Sequence, residues 1–140
     1  MTDNKQQAST NLPDSLQGLT AIVTGGAKGI GLGIAKDLAS QGCRIAIWDI
    51  DGAEVAQAAT ELQQLGAEVF GQEVSVTSQD DVERAVAQLH NTTGRVDILV
   101  NNAGIGGDKL VSKMDLDFWQ RVVETNLTSQ FICAKAVLPH

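Results

Sequence analysis

The chain has 140 residues, of which 43% are hydrophobic, and it carries a formal net charge of −7 at pH 7. This length and apolar content suit one compact domain with a buried core. The acidic balance argues against nucleic acid and anionic membrane surfaces as partners, and no apolar run approaches the roughly 20 residues that span a bilayer.

The first 17 residues are polar and contain no apolar signal segment, so we interpret residues 1–17 as a flexible tail and expect a cytoplasmic protein. The two cysteines, Cys43 and Cys133, form no ligand pattern and are expected to be buried, reduced thiols. His90 and His140 are the only histidines, so we expect no metal site. A domain is therefore predicted over residues 18–140.

Short apolar runs alternate with longer amphipathic ones along this domain. Strands are predicted at residues 20–24, 44–49, 68–74 and 97–101, because continuous apolar runs are typical of parallel strands covered on both faces. Helices are predicted at residues 30–41, 52–65, 79–92 and 117–137. The order βαβαβαβα predicts an α/β fold with a doubly wound, Rossmann-like parallel sheet and a ligand crevice at the carboxyl ends of its strands.

Capping residues mark the predicted helix ends. Asp51 with Glu54, and Ser78 with Asp81, have the spacing of an N-cap and a reciprocal partner three residues later. Glycines at positions 42, 66 and 94 follow three of the helices, where a left-handed residue is favoured.

A glycine-rich run, TGGAKGIG at residues 24–31, lies between the first strand and the first helix. Gly25 permits a tight turn, Gly29 lets the backbone approach phosphates, and Gly31 allows close packing of helix and strand. Unpaired N–H groups at the helix start can receive an anion. The run therefore predicts a dinucleotide site, although its spacing differs from the commoner G-x-G-x-x-G.

Asp49, at the end of the second strand, is placed to hydrogen-bond the 2′-hydroxyl of an adenosine ribose and to repel a 2′-phosphate. Lys28, within the glycine run, could instead pair with a 2′-phosphate, whereas Ile50 offers no second cation. We predict NAD as the cofactor, with NADP as the less favoured alternative.

Two asparagine features follow. The sequence NNAG, residues 101–104, ends the fourth strand at the edge where such sheets bind ligands. Asn126 falls inside the predicted last helix, where its amide competes with backbone hydrogen bonds, and its position near the strand ends favours a functional role.

Together, TGGAKGIG, Asp49, NNAG and the helical Asn126 resemble the short-chain dehydrogenase/reductase family in order and spacing. The resemblance implies a sheet of about seven strands and hydride transfer between a nicotinamide and a carbonyl or secondary alcohol. It also implies homo-oligomers for a complete member, through the helix that begins near Asp117 and the next one.

The resemblance also implies roles for individual residues. It places the pyrophosphate at the glycine run, the ribose at the end of the second strand and the adenine after the third strand. It places the nicotinamide at NNAG and a water of the proton relay at Asn126. The cofactor-binding set is Gly25, Lys28, Gly29, Ile30, Gly31, Asp49, Ile50, Ser75, Val76, Asn102, Ala103 and Gly104, and the catalytic residue is Asn126. Ser75 stands where family members often carry an aspartate, so we expect weaker adenine binding.

The chain contains no tyrosine, although the resemblance implies a reactive serine and a Tyr-x-x-x-Lys pair beyond the asparagine helix. We therefore expect a nucleotide-binding portion, truncated before the catalytic segment, with negligible turnover of its own. The alternative is a non-catalytic module that binds a nucleotide or a partner protein. The substrate class stays open among sugar alcohols, acyl-thioester ketones and simple secondary alcohols.

Overall fold

A computed structural model describes residues 16–140, so residues 1–15 of the predicted tail lie outside the described residues. Leu16 already belongs to the folded domain. It packs against the apolar core, and its carbonyl oxygen accepts a hydrogen bond from the Leu19 N–H at 3.1 Å.

Strands and helices alternate as predicted. The elements are β1 (Thr20–Thr24), α1 (Gly29–Ser40), β2 (Arg44–Asp49), α2 (Gly52–Gln64), β3 (Val69–Glu73), α3 (Gln79–Thr93), β4 (Ile98–Val100), a 3₁₀ turn (Val111–Lys113), α4 (Leu116–Val123), a π-helical segment (Glu124–Thr128) and α5 (Ser129–Val137). The strands are parallel and lie in the order β3-β2-β1-β4. The predicted Rossmann-like α/β order is confirmed.

Helices cover both faces of this sheet, because successive strand residues point to opposite sides. On one face, Val23 and Ile47 pack with Ala35 of α1 and Leu62 of α2. On the other face, Ile22 of β1 and the fully buried Trp48 of β2 pack with residues of α3 and α5, among them Leu89 and Cys133. The core is therefore densest around β1 and β2, whose carboxyl ends form the middle of the site.

The outer strands are shorter and less buried than predicted. β3 reads VFGQE, with Val69, Phe70 and Gln72 half-buried and the other two residues exposed, and β4 has three half-buried residues. Each lies at an edge of the described sheet. Both strands are nevertheless covered in part, since Val69, Ile98 and Val100 pack against the core on one face and Phe70 and Leu99 on the other. The prediction of coverage on both faces is therefore confirmed for β1 and β2 and holds only in part for β3 and β4.

The helix ends confirm the predicted caps but not their reciprocal partners. The Asp51 carboxylate accepts hydrogen bonds from the N–H groups of Ala53 and Glu54, and Ser78 Oγ accepts one from Asp81. Glu54 does not return to Asp51, because its carboxylate pairs with Lys28. The glycines that follow α1, α2 and α3 all adopt positive φ, as predicted.

The predicted last helix, 117–137, is interrupted. One turn with π-helical hydrogen bonding, Glu124–Thr128, separates α4 from α5 and contains Asn126. A π turn inside an α-helix inserts one residue and redirects the side chains around it, and such turns are frequent at functional sites. The single uninterrupted helix of the prediction is therefore wrong at this point.

Apolar side chains remain exposed along α4 and α5. Leu116, Trp119, Leu127 and Phe131 are each more than half exposed. This apolar face contrasts with α1 to α3, whose apolar faces pack into the core.

Both cysteines are buried and neither forms a disulfide, as predicted. Burial raises the pKa of the Cys43 thiol, and raises that of Cys133 to about 11. Both thiols therefore stay protonated at neutral pH.

No helix within residues 16–140 combines the length and the apolar character that a bilayer crossing requires. Among the same residues, no group of three or more histidine, cysteine, aspartate or glutamate side chains is arranged to hold a metal ion.

Candidate functional site

A cleft of about 440 Å³ opens at the carboxyl ends of the strands. Nine of the predicted cofactor-binding residues line it, namely Gly25, Lys28, Asp49, Ile50, Ser75, Val76, Asn102, Ala103 and Gly104. The other three, Gly29, Ile30 and Gly31, lie in the first turn of α1 and do not line the cleft. Asn126 does not line it either, although its neighbour Thr125 does.

The glycine run makes a turn that larger residues could not form. Gly25 has φ of +60°, and a Cβ there would lie 3.0 Å from the Ala103 Cα. A Cβ on Gly31 would collide with the Gly25 carbonyl oxygen and press on the Asn102 side-chain nitrogen. These glycines therefore let the turn, the start of α1 and the NNAG loop pack together.

The N-terminus of α1 has no side-chain cap. Lys28 is its N-cap residue, makes no capping hydrogen bond, and no acidic residue occupies the first turn. The first intrahelical bond joins the Leu32 N–H to the Lys28 carbonyl oxygen at 3.2 Å. The preceding N–H groups, of Gly29 to Gly31, have no acceptor inside the helix, as at any helix start. This geometry suits an anion, because the helix dipole adds to the free donors.

Asp49 ends β2 at the cleft. Its Oδ1 accepts a hydrogen bond from the Ile50 N–H at 2.8 Å, and its Oδ2 lies 3.4 Å from the Ala27 nitrogen. The carboxylate thus contacts the glycine run and stays half exposed. It can accept a hydrogen bond from a ligand hydroxyl, and its negative charge disfavours a phosphate at the same position.

The Lys28 side chain turns towards α2 and pairs with Glu54, with 2.8 Å between Nζ and Oε2. The contact with Glu54 and the charge of Glu54 raise the pKa of Lys28, burial opposes this rise, and the charges of Asp49 and Asp51 add smaller increases. The lysine therefore carries its charge at neutral pH, in contact with one carboxylate and under the weaker influence of two others.

Thr24, the last residue of β1, organises the NNAG loop. Its hydroxyl oxygen accepts hydrogen bonds from the N–H groups of Asn102 and Ala103, each at 3.0 Å. The Asn102 side chain donates to the carbonyl oxygens of Thr24 and Gly25, at 3.0 and 3.1 Å. The loop after β4 is therefore held against the glycine run by side-chain hydrogen bonds.

Asn126 holds the next part of this loop. Its Oδ1 accepts from the Ile105 N–H at 2.8 Å, and its Nδ2 donates to the Ile105 carbonyl oxygen at 2.9 Å. The π turn presents the amide to this backbone, and Ile105 lines the cleft. Asn126 thus shapes the cleft through Ile105, while its predicted catalytic role stays a prediction.

The loop after β3 forms the remaining wall. Ser75 Oγ lies 3.1 Å from Thr77 Oγ1, so this hydroxyl already has a neighbouring partner. Val76 is 9% exposed and offers an apolar surface. This wall can contact a flat aromatic ring by apolar packing.

Sequence reasoning missed several residues that build the site. Thr24 looks like an ordinary strand residue, and Glu54 looks like a helix-capping partner. Neither lines the cleft itself, whereas five further unpredicted residues do, namely Trp48, Val74, Thr77, Ile105 and Thr125. Their residue types are common outside such sites, so residue type alone could not have indicated them.

Comparison with known proteins agrees with this geometry. The family model for short chain dehydrogenases matches residues 19–140. The 3-oxoacyl-[acyl-carrier-protein] reductase FabG of Chlamydia pneumoniae is 42% identical over 127 residues, covering 90% of this chain and 51% of the relative. The FabG of Aquifex aeolicus (strain VF5) is 38% identical over 118 residues, covering 84% of this chain and 48% of the relative.

Solved structures are similar as well. The citronellol catabolism dehydrogenase AtuB of Pseudomonas aeruginosa PAO1 superposes with a TM-score of 0.84 at 28% identity, covering 90% of this chain and 54% of that one. The chain spans about half the length of the curated relatives it matches.

Proposed function

This chain belongs to the short chain dehydrogenase family, and we propose that it provides the nucleotide site of an NAD-dependent oxidoreductase. The proposed reaction transfers a hydride between the nicotinamide and a carbonyl or secondary alcohol. The whole protein's activity and substrate belong to this proposal, since the chain spans about half of each relative.

The position of Asp49 is the observation that carries the choice of NAD. Its carboxylate lies in the cleft at the end of β2, next to the glycine run. A carboxylate at this point can accept a hydrogen bond from the ribose 2′-hydroxyl and repels a 2′-phosphate. The one cation that lines the cleft among residues 16–140, Lys28, is already paired with Glu54.

The rest of the cleft supports a dinucleotide. The uncapped start of α1 can bind the pyrophosphate, and the glycines leave room for it. We place adenine against Val76 and the nicotinamide half near the loop that Thr24 and Asn126 hold. When bound, the nicotinamide supplies hydride chemistry, and this chain's residues bind and orient it.

The substrate class follows only from the relatives. Two of them are named 3-oxoacyl-[acyl-carrier-protein] reductases, so a ketone of an acyl thioester is the first substrate to test. The phenol that the family resemblance assigns as proton donor is not among these 140 residues, which contain no tyrosine. We therefore expect nucleotide binding by this chain and negligible turnover.

Calorimetric titration of NAD and NADP into the chain and into Asp49→Ala tests the cofactor choice. We expect NAD to bind more tightly than NADP. Asp49→Ala should weaken NAD binding by about tenfold or more and reduce the difference between the NAD and NADP affinities, since a hydrogen bond to a charged group contributes about 1.5–3 kcal/mol. Asp37→Ala, an exposed aspartate of α1, is the matched control. An unchanged NAD to NADP ratio in Asp49→Ala would remove Asp49 from the site.

A non-catalytic nucleotide-binding module is the second candidate, favoured by the absence of tyrosine. The intact mass of the protein from its native source separates the two. A chain about twice this length, as in the relatives, supports the oxidoreductase. A native chain of 140 residues supports the module.

A further inference from the structure

Lys28 stands between two acidic environments. It lines the cleft beside Asp49, and it also lines a second hollow between α1 and α2 that includes Glu54. Its ammonium group is 2.8 Å from Glu54 Oε2. The lysine is therefore held at the rim of the nucleotide cleft by a carboxylate that does not itself line that cleft.

This pairing bears on the adenosine ribose. The negative charges of a 2′-phosphate and of the Asp49 carboxylate would repel each other, so the phosphate would need a nearby cation. In the described part of the chain, Lys28 is the cation that lines the cleft. A lysine that neutralises Glu54 is less available to a phosphate, because leaving Glu54 breaks an existing ion pair.

Resting on the proposed function, we propose that Glu54 is a specificity-determining residue that disfavours NADP by holding Lys28 away from the 2′-phosphate. Asp49 acts by direct repulsion at the ribose, whereas Glu54 acts through the lysine. The preference for NAD thus depends on two carboxylates with different partners.

The fold contains a matched control for this idea. Lys36 and Glu61 form a second ion pair between α1 and α2, with 2.5 Å between Nζ and Oε1. Neither residue lines the nucleotide cleft. Removing Glu61 therefore deletes the same charge from the same helix without freeing a cation at the cleft.

Isothermal titration calorimetry at low ionic strength measures the affinities of NAD and NADP separately. The proteins titrated are the 140-residue parent chain, Glu54→Ala, Glu61→Ala and the double variant Lys28→Gln/Glu54→Ala. We expect Glu54→Ala to bind NADP about fivefold more tightly with NAD affinity nearly unchanged, the size expected for one exposed charge-assisted contact. Glu61→Ala should leave both affinities unchanged, and the double variant should lose the gain. Thermal unfolding curves check that each variant is folded, and Glu54→Gln, which keeps the side-chain volume, should show a smaller gain.

Three results would overturn the proposal: no gain in Glu54→Ala, an equal gain in Glu61→Ala, or a gain that persists without Lys28. The last result would indicate simple charge removal. Failure of the proposed function looks different, because the parent chain would then bind neither nucleotide, and the inference would fall with it. NAD binding by the parent together with an unchanged Glu54→Ala ratio would refute the role of Glu54 alone.

Discussion

Helices α1 and α2 each follow a strand of the central sheet, yet their first turns are satisfied in different ways. At the start of α2, the Asp51 carboxylate accepts hydrogen bonds from Ala53 and Glu54 at 3.0 and 3.1 Å. At the start of α1, Lys28 provides no cap and no acidic side chain lies in the first turn. The two helices are neighbours on one face of the sheet.

This difference shows how one type of element can serve either stability or binding. A helix start that is capped by its own side chain gains stability and has fewer donors for a ligand. A helix start without a cap forgoes that stability and keeps its N–H groups for an anion. The glycine run makes the second arrangement possible at α1, because it brings the backbone close without side chains in between.

Among the variants considered, Gly31→Ala should have the largest effect on NAD binding at the start of α1. The added Cβ would overlap the Gly25 carbonyl oxygen, so the turn must shift. We expect a loss of about 1–3 kcal/mol in the free energy of unfolding and a fall in NAD affinity of about tenfold or more. Chemical denaturation and calorimetry measure the two effects.

Gly33→Ala is the control for that variant. Gly33 lies in the same helix, is exposed, and a Cβ there would meet nothing within 4 Å. Alanine should stabilise the helix by about 0.5–1 kcal/mol and leave NAD binding intact. Equal losses of NAD affinity in both variants would mean that α1 responds to any substitution and that its first turn is not a specific site.

Lys28→Ser should make the start of α1 resemble that of α2. Lys28 has the extended backbone of an N-cap residue, with φ of −153°, so a serine hydroxyl can accept from the first turn. We expect a higher thermal unfolding midpoint together with NAD affinity lower by about five- to tenfold. Lys36→Ser, which also deletes an ion pair to α2 but adds no cap, should leave NAD affinity unchanged. Tighter NAD binding by Lys28→Ser would contradict the account.

Asn126→Ala tests the end of the cleft at Ile105, whose backbone is fixed by side-chain hydrogen bonds and not by a helix start. Ile105 would lose both hydrogen bonds that fix its backbone. We expect NAD affinity to fall by about fivefold while AMP, which lacks the nicotinamide half, binds as before, since one net hydrogen bond contributes about 1 kcal/mol. Gln130→Ala is the control, because Gln130 bonds only to the Asn126 carbonyl oxygen. Equal weakening of AMP would show that Asn126 supports the whole cleft.

Asp51→Ala should lower stability, which Lys28→Ser raises, and should change NAD binding least. Removing the cap of α2 costs about 1 kcal/mol of unfolding free energy. NAD affinity should stay within about twofold of the parent value, because the start of α2 holds no part of the ligand. Denaturation followed by circular dichroism gives the first quantity and calorimetry the second. A large loss of NAD affinity would mean that both helix starts contribute to the site.

Local signals in the sequence were sufficient for most of the fold. Caps such as Asp51 and Ser78, the positive-φ glycines and the apolar runs of β1 and β2 depend on neighbours along the chain, and all appear in the structure. The π turn at Asn126 could not be predicted, because apolar periodicity does not distinguish a helix with one inserted residue from a regular one. The incomplete burial of β3 and β4 depends on their edge positions, which the sequence does not state.

The candidate site shows the same division. Gly25 has a local backbone requirement, its positive φ, so the sequence indicated it, and it lines the cleft. The sequence did not indicate Thr24 and Glu54, because each acts through a partner distant in sequence, Thr24 through the NNAG loop and Glu54 through Lys28. Such pairings appear only when the relative placement of the elements is known.

Backbone amide chemical shifts of the ¹⁵N-labelled chain during titration with NAD show directly which helix start contacts the nucleotide. We expect the largest shifts at Gly29, Ile30 and Gly31, the first turn of α1, and little change at Ala53 in the capped first turn of α2. Saturable shifts of that kind would establish α1 as the phosphate-binding start. No shifts at α1, or equal shifts at both helix starts, would contradict the proposal that the uncapped helix and its glycine run form the nucleotide site.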